Sequence, residues 1–128
     1  MKSIKASVGT GKYIVEATAV FCGKDINITI GGGESYHIGA VAVAEPGNVI
    51  INGKKRSATT SVICLLDHKE DDLARFAAKH LATVLDSVVT VSVGIHIDDI
   101  SIEEIKVLDD HFNQLINQLE ISLADGDR

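Results

Sequence analysis

Residues 89–97, Val89-Thr90-Val91-Ser92-Val93-Gly94-Ile95-His96-Ile97, decide the fold. Apolar and polar residues alternate with a period of two, which predicts a strand with one buried face. His96 falls on the side of Thr90 and Ser92, opposite the valines. Just after this stretch, Ser101-Ile102-Glu103-Glu104 has the S-x-x-E spacing of a capping box. It predicts a helix with Ile105, Leu108, Phe112, Leu115, Ile116 and Leu119 on one face. Just before it, Leu73, Phe76, Ala77, His80, Leu81 and Val84 recur at helical spacing, predicting an amphipathic helix over 69–85. Glu70, Asp71 and Asp72 fall in its first turn, where carboxylates complement the helix dipole.

Upstream the pattern is all strand. Lys2 to Val8 reads as a strand joined by a Gly9-Thr10-Gly11 hairpin turn to Val15, Ala17, Ala19 and Phe21, again at period two. Ile26, Ile28 and Ile30 follow the same rule after a Cys22-Gly23-Lys24-Asp25 turn. Gly31-Gly32-Gly33 sits poorly in a strand, so a turn is expected there. Ile38 to Ala44 reads as a strand of small residues, stopped by Glu45-Pro46-Gly47-Asn48. Val49 to Ile51 reads as a short strand, Asn52-Gly53 as a tight hairpin turn and Thr59 to Leu66 as another strand. The expected fold class is α+β: one domain over residues 1–128, a mostly antiparallel sheet with two helices packed on one face.

Composition fits this. The chain has 128 residues, 45% hydrophobic and 23% charged, enough for one real core. Aromatics are only 4%, so the core must be Val, Ile, Leu and Ala. Twelve basic residues against 18 acidic ones give a net charge of −6, with no basic stripe, which argues against nucleic acid. No apolar run approaches the ~18 residues of a membrane span. Met1 to Val8 lacks an apolar h-region, so no signal peptide is expected and the cytoplasm is the expected location. Cys22 and Cys64 form no CxxC pair and are expected to pack as small buried hydrophobes.

Three places could carry chemistry. Gly31-Gly32-Gly33-Glu34-Ser35-Tyr36-His37-Ile38-Gly39 offers exposed backbone N–H groups and a histidine, though it is neither nucleotide fingerprint. A plain turn between strands is the alternative. Asp67-His68-Lys69-Glu70-Asp71-Asp72 lies where a strand hands over to a helix, a phosphate seat by position. Its acids suit a divalent cation better than a bare anion, and simple helix capping is the alternative. Gly94-Ile95-His96-Ile97-Asp98 places a histidine near a strand end, with Asp98 able to orient the imidazole. His80 and His111 lie within the helices and read as structural. No nucleophile elbow and no HExxH is present.

Taken together, GGGESYHIGAVAVAEP, DHKEDDLARFAAKHLA and VTVSVGIHIDDISIEEI resemble the small prenylated-flavin chaperone family, over about residues 28–119. The resemblance implies a non-enzymatic protein that binds reduced prenylated FMN and assists its delivery to a partner reversible decarboxylase such as gallate decarboxylase. The flavin prenyltransferase is a further candidate partner. The residues it points to for the cofactor are Gly31, Gly32, Gly33, Tyr36, His37, Gly39, His68, Lys69, Gly94, His96 and Asp98. His37, His68 and His96 are also candidate ligands for a divalent metal ion that would neutralise the phosphate. Tyr36 is the one aromatic near a motif. A homodimer is expected, with the Leu119-Ile121-Leu123 stretch as its contact. Two other readings stay open: a small metal-dependent enzyme built on the three histidines, and a ligand-free structural or regulatory subunit of a decarboxylase.

Overall fold

The alternating strands assemble into a sheet with one apolar face covered by the helices, while Val41, Val43 and Ile63 lie on the uncovered side. The computed structural model describes residues 1–48, 50–55, 58–65 and 70–125. Strands β1 (Ser3–Val8), β2 (Val15–Cys22), β3 (Asp25–Gly33), β4 (Ala40–Glu45), β7 (Thr59–Cys64) and β8 (Val89–His96) form one six-stranded sheet in the order β1-β2-β3-β8-β4-β7. β5 (Ile50–Ile51) and β6 (Lys54–Lys55) make a separate small hairpin, with Asn52 and Gly53 at positive φ as a tight two-residue turn requires. Helix α1 (Asp71–Leu85) packs on β4, β7 and β8, and helix α2 (Ile102–Ala124) packs on β1 and β2. The fold is α+β with a mostly antiparallel sheet, as the patterning requires. Among the described pairings only β3 and β8 run parallel.

Register explains the core. Ala17, Ile30, Val93 and Ala40 lie side by side across four strands, each buried on the helix-covered face. Residues one position away (Thr18, Thr29, Ser92 and Val41) form a row on the uncovered face. α2 contributes Leu108, Phe112, Leu115, Ile116, Leu119 and Leu123, all buried. Its start carries the capping box: Glu104 N–H donates to Ser101 Oγ and Ser101 N–H donates to Glu104 Oε1, both at 3.1 Å.

Four expectations need correction. The Gly31-Gly32-Gly33 run does not turn; it continues β3 to its end, flanked on both sides by β2 and β8. The buried face of α1 is Ala74, Ala77, Ala78, Leu81, Ala82 and Leu85, while Phe76 and Val84 face outward, 47% and 45% exposed. The reason is close packing: these alanines lie over a sheet whose β4 buries Ala40, Ala42 and Ala44, and small residues let helix and sheet approach. Cys22 and Cys64 are both exposed rather than buried, because Cys22 ends β2 on the uncovered face and Cys64 ends the edge strand β7. In the Leu119-Ile121-Leu123 stretch, Leu119 and Leu123 are spent on the molecule's own core and only Ile121 projects outward, so no apolar stripe is left there for a second copy.

The helix histidines are structural in placement. His111 Nδ1 bonds the Tyr13 carbonyl at 2.7 Å, and His80 Nε2 bonds Glu120 Oε1 at 2.6 Å, tying α1 to α2. Near α2's start, Lys12 Nζ lies 2.9 Å from Glu104 Oε2, and the Tyr13 hydroxyl donates to the same oxygen at 3.2 Å. The Lys12 ammonium first, and then the Ser101 backbone N–H, pull the Glu104 carboxyl from its ordinary 4.5 down to about 2. A carboxyl depressed in the folded state stabilises above its ordinary pKa and loses that contribution as pH falls through its folded value. Glu104→Gln keeps an amide oxygen for the cap and removes the charge. Its thermal midpoint is expected below wild type at neutral pH, with the gap closing between 4.5 and about 2. A gap that stays constant over that range would assign the loss to something other than charge.

Candidate functional site

The site lies at the sheet end where β3 and β8 finish side by side, Gly33 opposite His96. From Gly33 the chain must pass the end of β8 to begin β4 on its far side. It does so through residues 34–39. Glu34 and Ser35 N–H donate to the His96 carbonyl at 2.7 and 3.3 Å, and Gly39 N–H donates to the Val93 carbonyl at 2.8 Å. The crossing lies over the uncovered face, where Gly31 and Gly94 are neighbours in register. A Cβ on Gly31 would come within 2.6 Å of the Tyr36 ring. One on Gly94 would lie 3.1 Å from His37 Cα and overlap the His37 carbonyl. The glycines therefore form a notch for the protein's own backbone, not an open cradle for a ligand's phosphate.

This crossing delivers His37 to His96. Their rings are 6.3 Å apart, centre to centre, at 80°. Each imidazole holds a carboxylate: His37 Nε2 bonds Glu70 Oε1 and His96 Nε2 bonds Asp98 Oδ1, both at 2.8 Å. A carboxylate accepts, so Nε2–H is the donor in each pair. Glu70 is the N-cap residue of α1, yet its side chain makes no cap bond, and it is mostly buried against Gly39 and His37. Asp98 is held in turn, because its N–H donates to Glu34 Oε1 at 2.9 Å. The pairs differ in access: the His37 side chain is 23% exposed and that of His96 50%. His37 latches the crossing to α1. Of the two imidazoles, His96 is the more open to solvent. Both helices begin at this end, so their dipoles offset part of the local carboxylate charge.

Of the residues singled out in the sequence, the structure brings His37, His96 and Asp98 into one cluster and sets Gly31, Gly94 and Tyr36 directly beneath or beside it. Gly32 and Gly33 are buried under the Ile14 carbonyl and the His96 backbone, and Gly39 faces Glu70. His68 and Lys69 lie outside the described residues. Among the described residues no three His, Cys, Asp or Glu side chains gather as a metal site would need, so the metal reading is not supported there. The imidazole nitrogens that face the cluster are occupied by carboxylates instead.

Sequence reading missed that Glu34 braces Asp98 and that Glu70 serves His37 rather than its own helix. It also missed a hollow of about 400 Å³ on the uncovered sheet face, lined by Lys5, Ser7, Glu16, Thr18, Thr29, Gly31 and Tyr36 among others. Tyr36 forms one wall, its hydroxyl donating to Glu16 Oε1 at 2.8 Å. Partial burial, and then the Glu16 carboxylate, raise the Tyr36 phenol above the ordinary tyrosine range.

Fold and site together define a small α+β domain with two carboxylate-held histidines at one sheet end and a hollow beside them. The sequence matches the family model described as prenylated flavin chaperone LpdD-like domain over residues 9–124, and the chain belongs to that family. No curated protein matches the sequence. Solved structures do match, one of them from the crystal structure of a novel chaperone complex for yeast 20S proteasome assembly. It is 20% identical, with a TM-score of 0.48, covering 96% of this chain and 97% of that one. At that distance nothing about function follows from it. Among the described residues no helix is long and apolar enough to cross a membrane.

Proposed function

We propose that this protein is a non-enzymatic chaperone for reduced prenylated FMN, serving a prenylated-FMN-dependent decarboxylase in the cytoplasm. Family membership supports the cofactor class. The observation that carries the reading is the meeting of His37 and His96, 59 positions apart in the chain, beside a hollow large enough for a flat ring system. The residues fit such a group on one condition. The ring cannot enter the glycine notch, which residues 34–39 fill, so it must lie in the hollow with one polar edge turned toward His96. A reduced flavin offers ring N–H donors and carbonyl acceptors, and an imidazole whose Nε2–H is fixed by Asp98 presents Nδ1 as an acceptor toward them. Holding the ring against a sheet face limits its contact with water and oxygen, which is a chaperone's task and needs no acid–base step.

The test is anaerobic equilibrium binding of reduced FMN and its prenylated form. Wild type is expected to retain the prenylated form. His96→Ala should weaken retention at least tenfold, the loss of about 1.4 kcal/mol, with no change in thermal midpoint. His37→Ala should weaken retention and lower the midpoint as well, because it also unlatches the crossing from α1. Unchanged affinity in both variants would remove the histidines from the site. Absence of flavin binding by wild type would overturn the function itself.

A further inference from the structure

The hollow on the uncovered face has a chemical polarity of its own. Its floor is two rungs of the sheet ladder: Lys5, Thr18 and Thr29 in one, Ser7, Glu16 and Gly31 in the next. The rungs place an ammonium at the β1 edge and a carboxylate-bound tyrosine at the other end, with hydroxyls between. Lys5 is two strands and two residues from Gly31, about 12 Å at ordinary sheet spacings. The histidine end, by contrast, carries carboxylates on its described members Glu34, Glu70 and Asp98, which disfavour an anionic phosphate.

We infer that this hollow is the seat of a phosphorylated planar heterocycle, the ring packing beside Tyr36 on the Gly31 rung and the phosphate reaching Lys5. The inference rests on the flavin reading above and adds the ligand's orientation. Gly31 matters because its missing Cβ lets the Tyr36 ring settle onto the strand, making a flat wall 51% exposed to solvent. Glu16, already accepting from the Tyr36 hydroxyl, has a second oxygen for a ring N–H. Ser7, Thr18 and Thr29 give hydroxyls along the path of the tail. A ribityl phosphate can span the distance from the tyrosine wall to Lys5, and its charge is then placed away from the acidic end. The other face of the sheet, covered by both helices, has no room for such a ligand.

The experiment compares reduced FMN, reduced riboflavin and reduced prenylated FMN on the full chain, without oxygen. Lys5→Gln is expected to weaken FMN and its prenylated form at least tenfold and to leave riboflavin within twofold, because riboflavin lacks the phosphate. Thr29→Trp, filling the floor from an exposed strand position, is expected to weaken all three at least tenfold while the thermal midpoint holds. Wild-type affinity for all three in both variants, with binding still lost in His96→Ala, would overturn the hollow as the seat and leave the flavin reading standing. No retention of any flavin by wild type would overturn both.

Discussion

Gly94→Ala is expected to destabilise the protein by at least about 3 kcal/mol, the upper range for forcing atoms into a closely packed place. The added Cβ would overlap the His37 carbonyl, and what it meets is backbone, which cannot swing aside as a side chain end can. The crossing at residues 34–39 is held by hydrogen bonds from Glu34 and Ser35 to His96 and from Gly39 to Val93, so displacing His37 breaks a bonded segment, not a loose loop. The His37–Glu70 pair goes with it. Urea unfolding measures the loss, and Ser92→Ala, two residues back on the same uncovered face, is the control, expected within about 0.5 kcal/mol of wild type. A Gly94→Ala protein as stable as wild type would mean that the crossing does not rest in the glycine notch.

Phe112→Ala is the second large effect, expected at about 3–5 kcal/mol, the range for deleting a buried phenyl ring. Phe112 is 1% exposed and lies in the α2 row that covers the sheet. Phe76→Ala removes the same atoms from α1, but that ring is 47% exposed and stacked on His80, 5.6 Å away. Its expected cost is under about 1 kcal/mol. Denaturant midpoints should shift for Phe112→Ala with the slope unchanged, and barely move for Phe76→Ala. Equal costs would contradict the observed burial of the two helices.

These two phenylalanines show where sequence patterning reaches and where it stops. Both fall on the large-residue face of a predicted helix. For α2 that face is buried from Leu108 onward, although Ile105, at its start, is 43% exposed. For α1 only Ala77 and Leu81 of that face are buried while Phe76 and Val84 face outward, because the helix sits on β4 largely through alanines, whose small size carries little hydrophobic signal of its own. What the pattern missed was contact distance, and contact distance depends on which strand lies beneath the helix.

The glycine run shows the same limit. Read locally, three glycines end a strand. In the sheet they lie between β2 and β8, where two partners supply backbone hydrogen bonds that the glycines' own propensity does not offset. Their use becomes visible only once β8 is known to pair in parallel and to bring Gly94 alongside Gly31. Sequence alone could select His37, His96 and Asp98 from their positions near strand ends. It named Glu34 and Glu70 within wider stretches but could not find what they hold, nor Glu16's bond to Tyr36, because the partners lie 64, 33 and 20 positions away in the chain.

By itself the sequence determined the period-two strands, the Asn-Gly hairpin and the capping box that opens α2, since each depends on residues within a few positions of one another. The tertiary structure alone decided the strand order, the parallel β3–β8 pair, the buried face of α1 and the hollow beside Tyr36. Those depend on which surfaces exclude water together, and burial between distant segments leaves no mark on either segment's own spacing.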